Sequence, residues 1–293
     1  MENDNFKNTE GSFQETKERE APIQSDLDHH EKPAHGISDA MQVFLRGHGW
    51  STNTAEIIGE GREKQAMAVG EDKVLIYYHS KQEIDKANLP PEYFKAQFYL
   101  HKILHLSLPN NFPDVHMGGG GAILFDRVPD NPEFSRAKDI QREFLVTRAL
   151  GYSDDIFLKK FIGRNTNNPE FLLAYRVLEG LGIVDARDPD TSQLEFAQPY
   201  NTVMVNDHPV LLEALNPVKT LTNRIGELSF EPSMNIENLA EIIHFGMNSE
   251  DPAATHLKDE RVQNRILKLA IRYRINAEKT AEYLKKKDRV IFS

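Results

Sequence analysis

Residues 201–213 read NTVMVNDHPVLLE, and this stretch decides the fold. Two short apolar runs, at 202–205 and 210–212, flank a polar segment, which is the pattern of two strands joined by a turn. A polar residue stands at each outer end, Asn201 before the first strand and Glu213 after the second. The spacing of these two residues around the hairpin is the most specific pattern in the chain.

Three further stretches lie upstream of this hairpin. Residues 57–61, IIGEG, precede two strands predicted at 65–69 and 73–78, which a tight Gly-Glu-Asp turn joins as a hairpin. Residues 123–130, ILFDRVPD, are typical of a strand that ends before a proline. Residues 178–185, LEGLGIVD, predict a helix end that Gly182 terminates, followed by a short strand.

The chain changes from mainly strands to mainly helices near Pro132. Before that point the pattern predicts a short helix from Ser38, strands at 54–58, 65–69 and 73–78, a helix opened by Pro90-Pro91, and two strands around the glycine run 118–121. After it, helices are predicted at 135–150, 154–162, 168–181, 235–245 and 257–286, the last broken near Asn276, with short strands between 183 and 212. The fold class is therefore α+β.

This order of elements, with the four local stretches, resembles the two-lobed protein-kinase-like fold over roughly residues 40–245. The resemblance implies a small strand-rich N-lobe at 37–129 and a mostly helical C-lobe at 130–293. Residues 1–36 contain few apolar residues, so we expect a disordered acidic tail there.

The resemblance also implies a cleft between the lobes that binds ATP with Mg²⁺. The nucleotide-binding residues would be Gly59 and Gly61 in the glycine-containing loop, and Asp126 and Val128 at the hinge. The residues at 201 and 213 match the family's metal-binding asparagine and aspartate. Asn201 and Glu213 are therefore the candidate metal ligands.

Phosphoryl transfer makes demands that this sequence meets only in part. Glu213 replaces the family's metal-binding aspartate, and its extra methylene moves the carboxylate away from the geometry that Mg²⁺ requires. The family's strand lysine is matched by Tyr77, which carries no positive charge. Glu92 is the candidate for the helix glutamate, but it lies in a first helical turn, where a surface carboxylate is favoured by the helix dipole.

The catalytic aspartate is also displaced in this sequence. Its place falls at Arg187, with Asp185 and Asp188 on either side as the candidate catalytic residues. We therefore expect a noncatalytic, pseudokinase-like binding or scaffold protein. A divergent ATP-dependent phosphotransferase is the alternative.

A second resemblance overlaps the first, because residues 153–205 are similar to a winged helix-turn-helix. The recognition helix would be 168–181, and Arg164 would support contact with DNA. Glu170 and Glu179 on that helix would face the phosphates, which opposes such contact. Nucleic acid is therefore not the expected partner, and a winged-helix DNA-binding regulator stays an alternative.

The composition excludes several other classes of functional site. The chain has no cysteine, which excludes disulfides, thiolate nucleophiles and cysteine-bound zinc. His101 and His105 stand four residues apart, a zinc-ligand spacing, but no third ligand accompanies them. No apolar run is long enough to span a membrane, and residues 1–17 do not form a signal peptide. The sequence predicts a cytoplasmic protein without membrane contact.

The net charge of −10 is unevenly distributed along the chain. Residues 1–36 carry nine acidic and four basic side chains, a net charge of −5. Residues 257–290 carry eleven basic and five acidic side chains, a net charge of +6. This basic C-terminal helix and the acidic tail are the candidate surfaces for a protein partner.

Overall fold

The computed structural model describes residues 43, 45–47, 49–50, 56–60, 64–78, 89–119, 121–129, 163–184, 196, 201–212, 214–222, 228–248 and 252–291. The predicted tail at 1–36 and the predicted helices at 135–150 and 154–162 lie outside these residues. Four candidate site residues also lie outside them: Gly61, Asp185, Asp188 and Glu213.

The N-terminal part contains a five-stranded antiparallel sheet. Its strands are β1 (Glu56–Glu60), β2 (Lys64–Val69), β3 (Lys73–Tyr78), β4 (Val115–Gly119) and β5 (Ala122–Asp126), in the order β1-β2-β3-β5-β4. The β1–β2 register shifts between Ile57 and Gly59, so the edge strand β1 carries a bulge.

One face of the sheet packs around Trp50, the single tryptophan of the chain. Gly70, in the β2–β3 turn, has a φ of +72°, and a Cβ there would lie 2.8 Å from Trp50 Nε1. Leu45 and Tyr77 are buried in the same cluster. Trp50 therefore packs as an anchor of this sheet face.

The other face of the sheet packs against α1 (Pro91–Ser107), which lies in the chain between β3 and β4. Val115, Ile123 and Phe125 are buried there, with Ile76 and Phe98 packed against them. Pro91 stands in the first turn and supplies the helical φ, and α1 ends before Pro109, as predicted.

The C-terminal part is mainly helical. It contains α2 (Pro169–Gly180), the hairpins β6 (Thr202–Val205)–β7 (His208–Leu211) and β8 (Val218–Thr222)–β9 (Leu228–Pro232), α3 (Leu239–Asn248), a 3₁₀ helix (Pro252–Lys258) and α4 (Glu260–Ile291). Asn168 caps α2 by accepting hydrogen bonds from the backbone N–H groups of Glu170 and Phe171, at 2.9 and 3.2 Å. Gly182 follows the helix with a φ of +71°, as predicted.

Three local predictions in this part are wrong. The β6–β7 turn has two residues, Asn206 and Asp207, both with positive φ, so β7 begins at His208 and the expected four-residue turn does not form. Ile183 and Val184 form no strand. The α4 helix does not break at Asn276, whose side chain donates to the Arg272 carbonyl at 2.8 Å instead of interrupting the helix.

A single hydrophobic cluster joins α1 to the helices of the C-terminal part. Its most buried members include Leu100 and Leu104 of α1, Phe171 and Leu178 of α2, and Tyr273 of α4. The strand-rich part followed by a helical part confirms the α+β class and the element order that the resemblance implies. Among the helices of the described residues, none is long and apolar enough to cross a membrane.

Candidate functional site

Residues 214–216, which directly follow candidate residue 213, are held by one face of α1. Tyr93 donates from its hydroxyl to Asn216 Oδ1 at 2.8 Å. Gln97 donates from Nε2 to the Leu215 carbonyl at 3.0 Å, and the Leu215 N–H donates to His101 Nε2 at 3.0 Å. Because the three α1 residues are spaced by four, they lie on one side of the helix.

Lys64 of β2 reaches the same segment. Its Nζ donates to the Ala214 carbonyl, and its side chain is half-buried. The sheet, α1 and residues 214–216 therefore meet at one place, where the Lys64 ammonium lies near the amide of Gln97 and the imidazole of His101.

His101 is neutral at this junction. Burial and the nearby charge of Lys64 lower the pKa of His101 to about 3. Its Nε2 accepts from Leu215, and its ring meets Phe125 edge to face at a centroid distance of 4.8 Å. The side chain of His105 uses Nδ1 to contact the Phe112 carbonyl at 2.8 Å. The zinc-ligand spacing of the two histidines therefore reflects packing.

The match of Tyr77 to the family's strand lysine is wrong. Tyr77 is buried on the sheet face that packs around Trp50, away from α1. The neighbouring residue on the α1 face is Ile76, which packs with β4 and β5 side chains. Successive residues of a strand point to opposite faces of the sheet. The side chain one position along the strand from Ile76 therefore points away from α1. The cleft-facing position is apolar.

The α1 position that faces this junction also lacks a carboxylate. Glu92 is the only acidic residue of α1 and lies in its first turn, where the helix dipole favours a carboxylate. Gln97, fully buried, occupies the middle of the face that contacts residues 214–216. An uncharged amide therefore occupies the middle of this face.

Of the two candidate hinge residues, Asp126 is the last residue of β5 and Val128 follows the strand. The Asp126 carboxylate accepts from Lys73 Nζ at 2.8 Å and contacts His116 Nε2 at 2.6 Å, so it has a structural role. The Arg127 N–H donates to the Asp72 carbonyl at 2.8 Å. Val128 is half-buried, and none of the described residues pairs through its backbone with the N–H of Val128. Val128 is thus the hinge position that can offer a backbone donor.

The candidate residues Gly59 and Asn201 lie in the described part of the chain. Gly59 belongs to β1 and stands opposite Ala66, beside the bulge. Asn201 is buried, and its carbonyl accepts from the Leu212 N–H at 2.8 Å. The two outer ends of the β6–β7 hairpin therefore lie together, which brings position 201 next to the chain that leads into residue 213.

A cluster of Asp114, His116 and Asp126 was not identified from the sequence. Their potential ligand atoms lie within 4.8 Å of one another. However, Lys102 pairs with Asp114 and Lys73 pairs with Asp126. Burial raises the pKa of Asp114, but the hydrogen bond from Lys102, the charges of His105 and Lys102 and the hydrogen bond from the Val115 N–H together outweigh it, so that pKa is lowered overall. The cluster is an ion-pair network, because its carboxylates are already neutralised by lysines.

The helix α2 does not present a DNA-reading end. Glu170, in its first turn, contacts His208 of β7 through an Oε2–Nδ1 distance of 2.8 Å. Phe171, Ala174 and Leu178 are buried in the shared core. A recognition helix directs its N-terminal residues at base edges, whereas here that end carries a carboxylate engaged with the hairpin.

No protein-family model matches the chain, and no curated protein matches it. Five chains of solved structures are similar to it, among them the following two. One is the Rio2 kinase-ADP/Mg²⁺-phosphoaspartate complex from Chaetomium thermophilum, 12% identical, with 84% of this chain and 76% of that chain covered and a TM-score of 0.30. The other is the GDP and kanamycin complex of APH(2")-IIia, 11% identical, with 85% and 93% covered and a TM-score of 0.27.

Proposed function

We propose that the chain is a noncatalytic, kinase-like binding protein that holds a nucleotide between the five-stranded sheet and residues 201–216. The observation that carries this proposal is the uncharged α1 face. Gln97 and neutral His101 fix the backbone of Leu215 at the place where phosphoryl transfer needs a charged pair. These hydrogen bonds fix the arrangement of the site. They do not supply the charged pair that phosphoryl transfer requires.

Nucleotide binding is supported by the way the N-terminal part meets residues 214–216. The α1 helix contacts this segment through Gln97 and His101, and a junction between two parts of a fold is a usual place for a ligand site. Val128 offers the hinge donor for a base, and Lys64 brings a positive charge to the other end. We expect Mg²⁺ to contribute less to binding than the nucleotide itself. Its candidate ligands are the amide of Asn201 and the carboxylate of Glu213, which the extra methylene displaces from the geometry that Mg²⁺ requires.

The test is thermal melting of the full chain with ATP, with ATP and Mg²⁺, and with neither. We expect ATP alone to raise the Tm, because a ligand at 100 times its Kd stabilises the folded state by about 2.7 kcal/mol. Labelled γ-phosphate should not be transferred to the protein or to a generic acceptor. No rise with any nucleotide would contradict the proposal.

The alternative of a divergent phosphotransferase has its own signature. It predicts a Tm rise that needs Mg²⁺, together with γ-phosphate transfer that both Asn201→Ala and Glu213→Ala abolish. That combination would show that the chain is an enzyme. Salt-sensitive retention on DNA that Arg164→Ala weakens would instead favour the winged-helix alternative.

A further inference from the structure

Helix α4 carries a row of exposed apolar side chains. Leu267, Ile271 and Ile275 are 44%, 59% and 48% exposed. Because they stand four residues apart, they lie one above the other on one side of the helix, over a length of about 12 Å. Single exposed apolar residues are ordinary, whereas a contiguous group of them marks a surface for another molecule. We call these three residues the α4 stripe.

The α4 stripe is not part of the core. The helix packs into the shared core through a different set of buried residues: Ile266, Ala270, Tyr273, Ala277 and Ala281. An amphipathic helix usually has one apolar side, which the core covers, and a polar side that faces water. In α4 the side that faces water contains the stripe, so the core does not explain these three residues.

A row of basic side chains runs beside the stripe. Its members are exposed and follow one another at spacings of four, three and four residues: Arg261, Arg265, Lys268 and Arg272. Residues at these spacings are neighbours on a helix, so the like charges repel one another. Residues 261–275 contain no acidic residue, and none of the four side chains has an ion-pair partner among the described residues. We call these four residues the basic row.

We propose that the α4 stripe and the basic row form a docking surface for an acidic amphipathic helix of a partner protein. The partner helix places apolar side chains, at three- and four-residue spacings, against Leu267, Ile271 and Ile275. Its Asp and Glu residues lie against the basic row, where they relieve the repulsion among the four like charges. Because the surface belongs to α4 alone, this inference does not depend on nucleotide binding.

Charge and shape argue against two other occupants. A second copy of the chain would bring the same basic row to the interface, and like charges across an interface oppose association. A helix that lies on an anionic membrane buries a broad apolar face. The stripe instead has one apolar residue per turn, which is the ridge that a single neighbouring helix packs against.

The first test measures binding of a synthetic peptide. The peptide has about 20 residues and forms a helix with Leu at three- and four-residue spacings and Glu beside them. Its Kd is measured by fluorescence anisotropy for the full chain, for Ile271→Ser and for Ile57→Ser. Ile57 is the matched control, because it is an isoleucine of β1 with a similar exposure of 53%. We expect Ile271→Ser to weaken binding at least tenfold and Ile57→Ser to leave it unchanged.

Two results of this test would overturn the proposal. One is that the wild type does not bind the peptide. The other is that Ile271→Ser binds it as tightly as the wild type, which would place the peptide elsewhere on the chain. Ile271 is exposed, so its replacement should leave the Tm close to that of the wild type.

A charge reversal tests the basic row. The double variant Lys268→Glu, Arg272→Glu should bind the acidic peptide at least tenfold more weakly than the wild type. It should also bind more tightly than the wild type to a second peptide in which Lys replaces every Glu. A variant that merely failed to fold would not gain this second affinity. Lys95→Glu, at an exposed position of α1, is the control and should change neither Kd. An unchanged preference in the double variant would contradict the role of the basic row.

Two further measurements address the rival occupants. Sedimentation velocity would reveal a dimer of the full chain, and flotation with vesicles of phosphatidylcholine and phosphatidylserine would reveal membrane binding. We expect neither association to depend on Ile271. A dimer that Ile271→Ser dissociates, or vesicle binding that Ile271→Ser abolishes, would assign the stripe to that occupant and overturn the proposal.

Discussion

His101 is a buried histidine that stays neutral in the folded chain, and this makes stability depend on pH. Its pKa is about 3 when folded, against 6.5 as the ordinary value. The unfolded chain therefore binds the proton more tightly. The contribution of neutral His101 to the free energy of unfolding is complete above pH 6.5. It is lost as the pH falls from 6.5 towards 3, at up to about 1.4 kcal/mol per pH unit.

The prediction concerns the free energy of unfolding in urea at pH 7 and pH 5. The wild type should lose roughly 2 kcal/mol more between these values than His101→Gln. Glutamine can still accept from the Leu215 N–H, but it does not titrate. Identical pH dependence of the two proteins would show that His101 is protonated, or solvated, in the folded state.

Tyr273 of α4 carries a buried hydroxyl with two backbone partners. It donates to the Pro217 carbonyl at 2.7 Å and accepts from the Met234 N–H at 2.8 Å. Tyr273→Phe leaves both groups without their partner and should lower the free energy of unfolding by about 1–3 kcal/mol. Tyr283→Phe, on the exposed side of the same helix, should change it by less than about 0.5 kcal/mol.

At the scale of elements, β4 approaches α1 too closely for a side chain at Gly118. A Cβ there would lie 2.4 Å from the Phe94 carbonyl oxygen and 2.7 Å from Phe98 Cβ. Gly118→Ala should therefore destabilise the chain by about 1–3 kcal/mol. Gly119 is the matched control, because a Cβ at Gly119 would meet nothing within 4 Å. Equal melting temperatures of the two variants would contradict this packing.

The glycine run 118–121 shows which features a local sequence pattern can predict and which it cannot. The flanking strands were predicted because their apolar residues are contiguous, but the need for glycine at 118 depends on a helix that lies elsewhere in the chain. The hairpin β8–β9 was missed because residues 218–232 mix polar and apolar residues without clear alternation. Asn276 looked like a helix break, yet its side chain bonds within α4.

The candidate site, too, could be predicted only in part from local sequence patterns. The strand before the predicted hinge and the hairpin after Asn201 were predicted correctly because each is one continuous segment with its own pattern. Lys64, Gln97 and His101 were not assigned to the site, because they come together only when β2, α1 and residues 214–216 pack. The side chain of Tyr77 lies on the sheet face away from α1, which its own segment could not indicate, because strand register depends on partners that one segment does not contain.

At the scale of the whole molecule, the two predicted lobes share one core. Leu100 and Leu104 of α1 belong to the same cluster as Tyr273 of α4, so the predicted boundary at 129/130 divides a continuous hydrophobic interior. Without the C-terminal helices, Leu100 and Leu104 of α1 would be exposed to water. We therefore expect the described residues to unfold as one cooperative unit.

The measurement compares two probes during urea unfolding. Fluorescence of Trp50 reports on the sheet, and far-ultraviolet circular dichroism reports mainly on the helices. The two midpoints should coincide, and a fragment that ends at residue 129 should not fold. A separate, earlier fluorescence transition would show that the sheet unfolds independently of the helices.

The bulge in β1 has a consequence for self-association. A strand at the edge of a sheet is a template on which another chain can add its own strand. In β1 the bulge between Ile57 and Gly59 breaks the regular spacing of hydrogen-bonding groups, and the strand begins and ends with an acidic residue, Glu56 and Glu60. The edge strand is thereby a poor template for aggregation, although Ile57 is exposed on it.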